Sequence, residues 1–170
     1  CVLSNPPIED INRVITRLYE EDIYPIARIV AFKDSVITKT EPERAVKDKT
    51  GRVYKTASGD KWLDPYNKDN WAYLLEIGKA AAKLGFKEIQ FDYIRFHESM
   101  NAERVQLDDQ ISKTEIISQF TKYICENLKD AKVFVSADVF GTIILSNIDA
   151  ETVGQDFGEM SKYLDYICPM

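Results

Sequence analysis

The sequence is short of positive charge, of cysteine, of histidine and of long apolar runs. Lys and Arg total 22 against 28 Asp and Glu, a formal net charge of -6. Phosphate backbones are gripped by basic patches, so this balance argues against nucleic acid and for a neutral or cationic ligand. Cys1, Cys125 and Cys168 are too few and too scattered for a disulfide framework and lack the paired spacing of a zinc site; they read as buried or incidental thiols. His97 is the only histidine, so there is no His-x-x-x-His pair. No stretch approaches the roughly 18 apolar residues that cross a bilayer, and no basic segment followed by an apolar one opens the chain. The expectations are no membrane contact by this segment, no cofactor and no resident metal.

What remains is an ordinary globular mixture, 45% hydrophobic and 29% charged over 170 residues, enough to bury a core in one domain, 1–170. The chain opens on Cys1 and stops at Met170 directly after the strand-like "DYICPM", which reads as a piece of something longer. Helical spacing of Ile8, Ile11, Val14, Ile15 and Leu18, behind Pro6 and Pro7, predicts a first helix. "IYPIARIVAF" then reads as a buried strand. "NWAYLLEIGKAAAKLGF" is a helix ending near Gly85, "EIQFDYIRF" a strand, "KTEIISQFTKYICENLKD" a helix, "AKVFVSADVFG" a strand, "DFGEMSKYL" a short helix and "DYICPM" a last strand. Strands separated by helices imply right-handed crossovers and a parallel sheet, near 25–32, 88–95, 132–139 and 165–169.

Between the first strand and the second long helix, Lys33 to Asp69 is polar and irregular. Connections longer than about 12–15 residues are usually functional or disordered. This one carries Trp62, Asp64, Tyr66 and Asn67 in "KWLDPYN". It reads as a loop over the carboxyl ends of the strands, with Trp62 or Tyr66 facing the cleft, or alternatively as a flap packed on the rim. Trp71, at a helix start, reads as core.

Alternation along the strands places the acids. With Ile89, Phe91 and Tyr93 toward the helices, Gln90, Asp92 and Ile94 face the other way. The same parity sends Val133, Val135, Ala137 and Val139 outward and Phe134, Ser136 and Asp138 inward. Arg28 shares its parity with Ile26 and Val30 and is able to point in beside them. Asp is depleted in strands, so Asp92 and Asp138 near the carboxyl ends of neighbouring strands stand out; parallel α/β folds build their sites there. Two carboxylates with an arginine form either a buried ion pair or a nucleophile and general acid, one kept charged and the other pushed toward its protonated form. Tyr93 and Arg95 face the helix layer unless the strand end twists. His97 is either an incidental loop histidine or a group titrating near neutrality.

The motifs "PIARIVAFKD", "KWLDPYN", "WAYLLEIGKAAAKLGFKEIQFDYIRF", "SADVFG", "GQDFGEM" and "DYICPM", in that order, resemble those of the putative glycoside hydrolase domain family of bacterial, often envelope-associated proteins. The resemblance covers nearly the whole chain. It implies an α/β fold of the (β/α)8 TIM-barrel type, of which this chain holds the third to sixth strands. The remaining strands would come from the parent chain or from self-association. It further implies glycosidase activity on a poly- or oligosaccharide at the cell envelope or outside the cell, with Asp92 as nucleophile and Asp138 as acid/base, by analogy with amylase-like barrels; a carboxylate from a strand outside this chain is the alternative acid/base. Where the family usually has proline, this chain has His97, so the path after Phe96 departs from the pattern. Substrate contacts are expected from Arg28, Asp34, Trp62, Asp64, Tyr66, Gln90, Tyr93, Arg95 and His97. A retaining mechanism follows if the two carboxylates lie about 5–5.5 Å apart. Two other functions compete. One is a non-catalytic polysaccharide-binding barrel; the other is a metal-dependent deacetylase or hydrolase, with Asp34, Asp92 and Asp138 around a hard cation.

Overall fold

The computed structural model describes residues 8–108 and 110–170. Each long helix begins where a polar side chain takes over the orphan backbone N–H groups of its first turn. Asp10 accepts from the Arg13 amide and opens α1 (Ile11–Glu20). The two prolines expected to start this helix lie outside the described residues. Asn67 opens α3 (Lys68–Lys83), and Ser112 opens α4 (Lys113–Leu128) with Glu115 three residues on, the pattern of a capping box. α3 stops before Gly85, whose φ of +99° favours glycine and whose missing Cβ would meet Ile15 Cγ2 at 3.1 Å. Shorter helices are α2 (Ile37–Thr40), α5 (Asn147–Val153) and α6 (Phe157–Met160).

The strands β1 (Ile26–Val30), β2 (Glu88–Asp92), β3 (Phe134–Val139) and β4 (Tyr166–Pro169) form one four-stranded sheet in the order β1-β2-β3-β4. All three pairings are parallel, as expected from the intervening helices. Register sets Arg28 against Gln90, Gln90 against Ser136, and Phe91 against Ala137.

One face of the sheet carries the core. Ile89, Phe91, Val135, Ala137 and Val139 pack beneath α3 and α4, where the Phe120 ring meets Phe32, Phe91 and Trp71 with centroids 4.8, 6.3 and 5.5 Å away. Trp71 belongs to this core and donates its indole N–H to the Pro65 carbonyl at 2.7 Å. The other face is different in kind. Ile26, Val30, Phe134 and Tyr166 are 41–49% exposed there, beside a small set of polar groups.

The Lys33–Asp69 region is more ordered than its composition suggests. α2, a 3₁₀ turn at Pro42–Arg44 and isolated antiparallel bridges Ala45–Leu63, Lys47–Val53 and Asp48–Val105 organise it. The Leu63 amide donates to the Phe32 carbonyl just past β1, which holds "KWLDPYN" at the carboxyl end of the sheet.

Candidate active site

Alternation along β2 and β3 delivers Gln90, Asp92, Ser136 and Asp138 to the face opposite the helices, and Arg28 joins them from β1. The recorded pairing of β2 with β3 ends at Phe91–Ala137. Asp92 and Asp138 are therefore the next residues on adjacent strands, at the same level. Both are nearly buried, at 3% and 5% exposure. The half-exposed Arg28 guanidinium joins them, with Nη2 on Asp92 Oδ2 and Nε 3.4 Å from Asp138 Oδ2. Gln90 Nε2 donates to Asp138 Oδ1 at 3.0 Å and reaches Cys168 Sγ at 3.5 Å.

The two acids are not equivalent. Burial raises the Asp138 carboxyl above its ordinary range, and the nearby Asp92 charge raises it further, while Arg28 pulls the other way. Asp92 accepts the Tyr93 amide on Oδ1 at 2.7 Å in addition to the arginine. Chemically, the arrangement offers a carboxylate with a countercharge beside a carboxyl biased toward its protonated form, the pairing that acid–base chemistry needs.

Strand alternation stops at Asp92, because Tyr93 takes a left-handed conformation with φ of +52°. This is uncommon for a residue with a side chain and marks local strain at the site. Its consequence is a correction: Ile94, expected to face inward, is 1% exposed within the core. Tyr93 instead lays its ring against Trp62, with Lys33 Nζ 5.1 Å above it. Arg95 is buried, donating to the Phe96 carbonyl at 2.8 Å and lying over the Phe140 ring at 4.1 Å.

Several expected substrate contacts are committed elsewhere. Trp62, expected to face the cleft, is 1% exposed between Tyr93, His97 and Arg95, so it offers no ring face to a sugar. Tyr66 is half-buried on Phe96 and donates its hydroxyl to the Ile111 carbonyl at 3.0 Å. Asp64 accepts the Tyr66 amide at 3.0 Å and shapes the turn of its own motif. Asp34 accepts the Val36 and Ile37 amides at 2.8 and 2.9 Å and the Tyr73 hydroxyl at 3.3 Å. Asp34 and Asp64 serve the loop because short polar side chains satisfy the nearest backbone donors first. Asp34 is thereby removed from the triad weighed for a hard cation, and among the described residues no group of three His, Cys, Asp or Glu side chains converges.

His97 sits in the turn after β2, with Nδ1 2.8 Å from Ser99 Oγ and Nε2 3.4 Å from Glu98 Oε1. Burial depresses its pKa, partly offset by Glu98. The sequence reading missed two sets of residues. Lys33 and Asp60 form an ion pair of 3.0 Å beside Tyr93, and Gln155 is fully buried between the strand ends. Neither set carries a periodicity signal; both are legible only in contact.

Among solved structures, the chain is similar to a hypothetical protein from Ruminiclostridium thermocellum ATCC 27405, at 41% identity and a TM-score of 0.69, covering 76% of this chain and 66% of that one. It shares its fold with the PgaB (BpsB) glycoside hydrolase domain from Bordetella bronchiseptica, at 15% identity and TM-score 0.69, covering 94% and 54%. The same holds for Aspergillus fumigatus Ega3 in complex with galactosamine, at 13% and 0.62, covering 92% and 54%. The chain thus spans from about half to just under two thirds of these relatives' lengths. No curated protein matches it. The family described as "Putative glycosyl hydrolase domain" matches residues 2–170, in agreement with the sequence motifs, and the chain belongs to that family.

Proposed function

We propose that the chain is the catalytic part of a glycoside hydrolase acting on a poly- or oligosaccharide, with Asp92 as nucleophile and Asp138 as acid/base. The observation that carries this is the pair of nearly buried carboxylates side by side on β2 and β3, bridged by one guanidinium at the carboxyl ends of a parallel sheet. Adjacent strands lie about 4.8 Å apart, close to the 5–5.5 Å carboxyl separation of retaining enzymes. In this mechanism the Asp92 carboxylate attacks the anomeric carbon as Asp138 gives its proton to the departing glycosidic oxygen. Asp138 then takes a proton from the water that cleaves the glycosyl ester, releasing Asp92. Arg28 supplies the countercharge, and Gln90 holds the Asp138 carboxyl in place. Lys33 and Tyr93, at the same end of the sheet, are positioned to border the sugar.

The four strands are read as consecutive β/α units of a (β/α)8 barrel, one domain whose remaining strands are supplied by the parent chain or by self-association. The exposed apolar side chains on the sheet face that bears the carboxylates support this, since a closed barrel fills its interior with such residues. The extracellular or envelope location implied by the motif resemblance is kept as part of this reading; separately, no helix among the described residues is long and apolar enough to cross a membrane.

A second reading keeps the same geometry but makes the Arg28 triad purely structural, as in a polysaccharide-binding barrel; the closed ion pairing of Arg28 with both acids favours it. Asp92→Asn in the full-length protein separates the two. Turnover of a polysaccharide that the wild type cleaves is expected to fall by several orders of magnitude, with folding and sugar binding nearly unchanged. Wild-type turnover in that variant removes the assignment.

A further inference from the structure

Gln155 follows Gly154 at the end of α5 and has no exposed surface. Its Nε2 donates to the carbonyl of Ile94, two residues beyond Asp92, at 3.3 Å, and to the carbonyl of Asp138 itself at 3.2 Å. Its Oε1 accepts the Phe140 amide at 3.1 Å. One planar amide thus spans the ends of β2 and β3 just beyond their last recorded pair.

The segment that carries it is itself pinned. Phe96 donates its amide to the Val153 carbonyl at 2.7 Å. Lys113 Nζ donates to the Thr152 carbonyl at 2.7 Å and to the Met100 carbonyl at 2.5 Å. Gly154 lies so close to α4 that an added Cβ would stand 2.9 Å from the Lys113 carbonyl oxygen, at a φ of +80°. The loop after β2, the start of α4 and the end of α5 therefore hold Gln155 in one place.

We propose that Gln155 is a positioning residue that fixes the relative height and separation of Asp92 and Asp138 by tying the ends of their strands to one buried amide. This rests on the reading that those two carboxylates perform the chemistry. The side-chain chemistry is selective. Two carbonyl acceptors and one N–H donor require a group with two N–H donors and one acceptor oxygen, which only Asn and Gln supply, and Asn is one methylene shorter. Glu in its place turns both donors into acceptors facing carbonyls. Met matches the volume but leaves three buried backbone groups unpaired.

The test uses the full-length protein with Gln155→Met and Gln155→Glu, reading the Asp138 carboxyl titration by ¹³C NMR alongside kcat and KM. The groups facing Asp138 are Asp92, Arg28 and Gln90. In Gln155→Met, Asp138 is expected to titrate closer to an ordinary carboxylate, as it gains solvent and distance from Asp92. kcat should fall on the order of 10²-fold, the effect of about 1 Å of misplacement, with KM little changed. Gln155→Glu should recover part of this loss as pH falls and the new carboxyl regains a donor. A folded Gln155→Met with wild-type Asp138 titration and wild-type kcat overturns the proposal. If neither variant folds, exchange of the Gln155 side-chain amide protons in the wild type decides: slow exchange supports the brace, and exchange as fast as that of exposed glutamines refutes it. Loss of the glycosidase reading through an active Asp92→Asn would leave the titration comparison intact, because it reads geometry and needs no substrate.

Discussion

At the level of single residues, Asp138 links chemistry and stability with opposite signs. Its raised pKa means that the folded state holds the proton over a range, above the usual carboxylate value of 3.8, where the unfolded chain has lost it. Stability from this group is fully present below the unfolded value and declines as pH rises through the folded one. Asp138→Asn is therefore expected to flatten the fall in urea-unfolding stability over that range and to be at least as stable as wild type near neutrality. The same variant should lose the basic limb of the kcat/KM profile along with most activity, since an amide has no proton to give. A steeper loss of stability with pH in Asp138→Asn than in wild type would contradict the raised pKa. Trp62 makes a second residue-scale case. It is buried among rings, and its indole N–H has no hydrogen-bond partner among the described residues. Trp62→Ala should cost about 3–5 kcal/mol in urea unfolding through the lost volume, while Trp62→Phe, which removes an unpaired donor and keeps a ring, should cost far less. Weakened sugar binding by a stably folded Trp62→Phe would restore the stacking role that its burial denies.

Among elements, the helices were legible because apolar period is a local property. The spacing in "NWAYLLEIGKAAAKLGF" and "KTEIISQFTKYICENLKD" marks helices that the structure reproduces as α3 and α4, whose caps, Asn67 and Ser112 with Glu115, are identified in the structure. Ser112→Ala should lower stability by about 1 kcal/mol, seen as a shifted urea midpoint with an unchanged slope. The strands were legible for a similar reason: β-branched runs between helices leave few alternatives to parallel pairing, and alternation assigned the faces of Gln90, Asp92, Ser136 and Asp138. Alternation then misplaced Ile94, because the rule holds only while the backbone stays extended, and Tyr93 leaves it. Trp62 was misplaced for a different reason, and the loop partners of Asp34, Asp64 and Tyr66 were hidden for the same one. Composition shows that a loop is aromatic and acidic, but which donors and rings lie nearest to those side chains depends on how the loop folds back.

For the whole molecule, the four-stranded sheet has, among the described residues, two unpaired edges on β1 and β4, and a face where Ile26, Val30, Phe134 and Tyr166 are exposed. Unpaired edges beside apolar surface favour pairing with further strands. On the proposed barrel, hydrogen exchange in the full-length protein should find the outward edge amides of β1 and β4 as protected as those of β2. Rapid exchange at both edges would argue against closure. The chain on its own should associate or exchange quickly at those edges, which sedimentation velocity and the same exchange experiment would show.

By itself, the sequence determined the long helices, the strand order, the face of each strand residue up to Asp92, and the family, because periodicity and ordered motifs are written in neighbouring residues. Tertiary structure alone decided that Arg28 bridges both carboxylates, that burial and Asp92 raise Asp138, that Trp62 is core, and that Gln155 ties the two strand ends. These depend on contacts between residues as far as 110 positions apart, as with Arg28 and Asp138. No local pattern encodes such a contact, because its geometry exists only once the strands have paired.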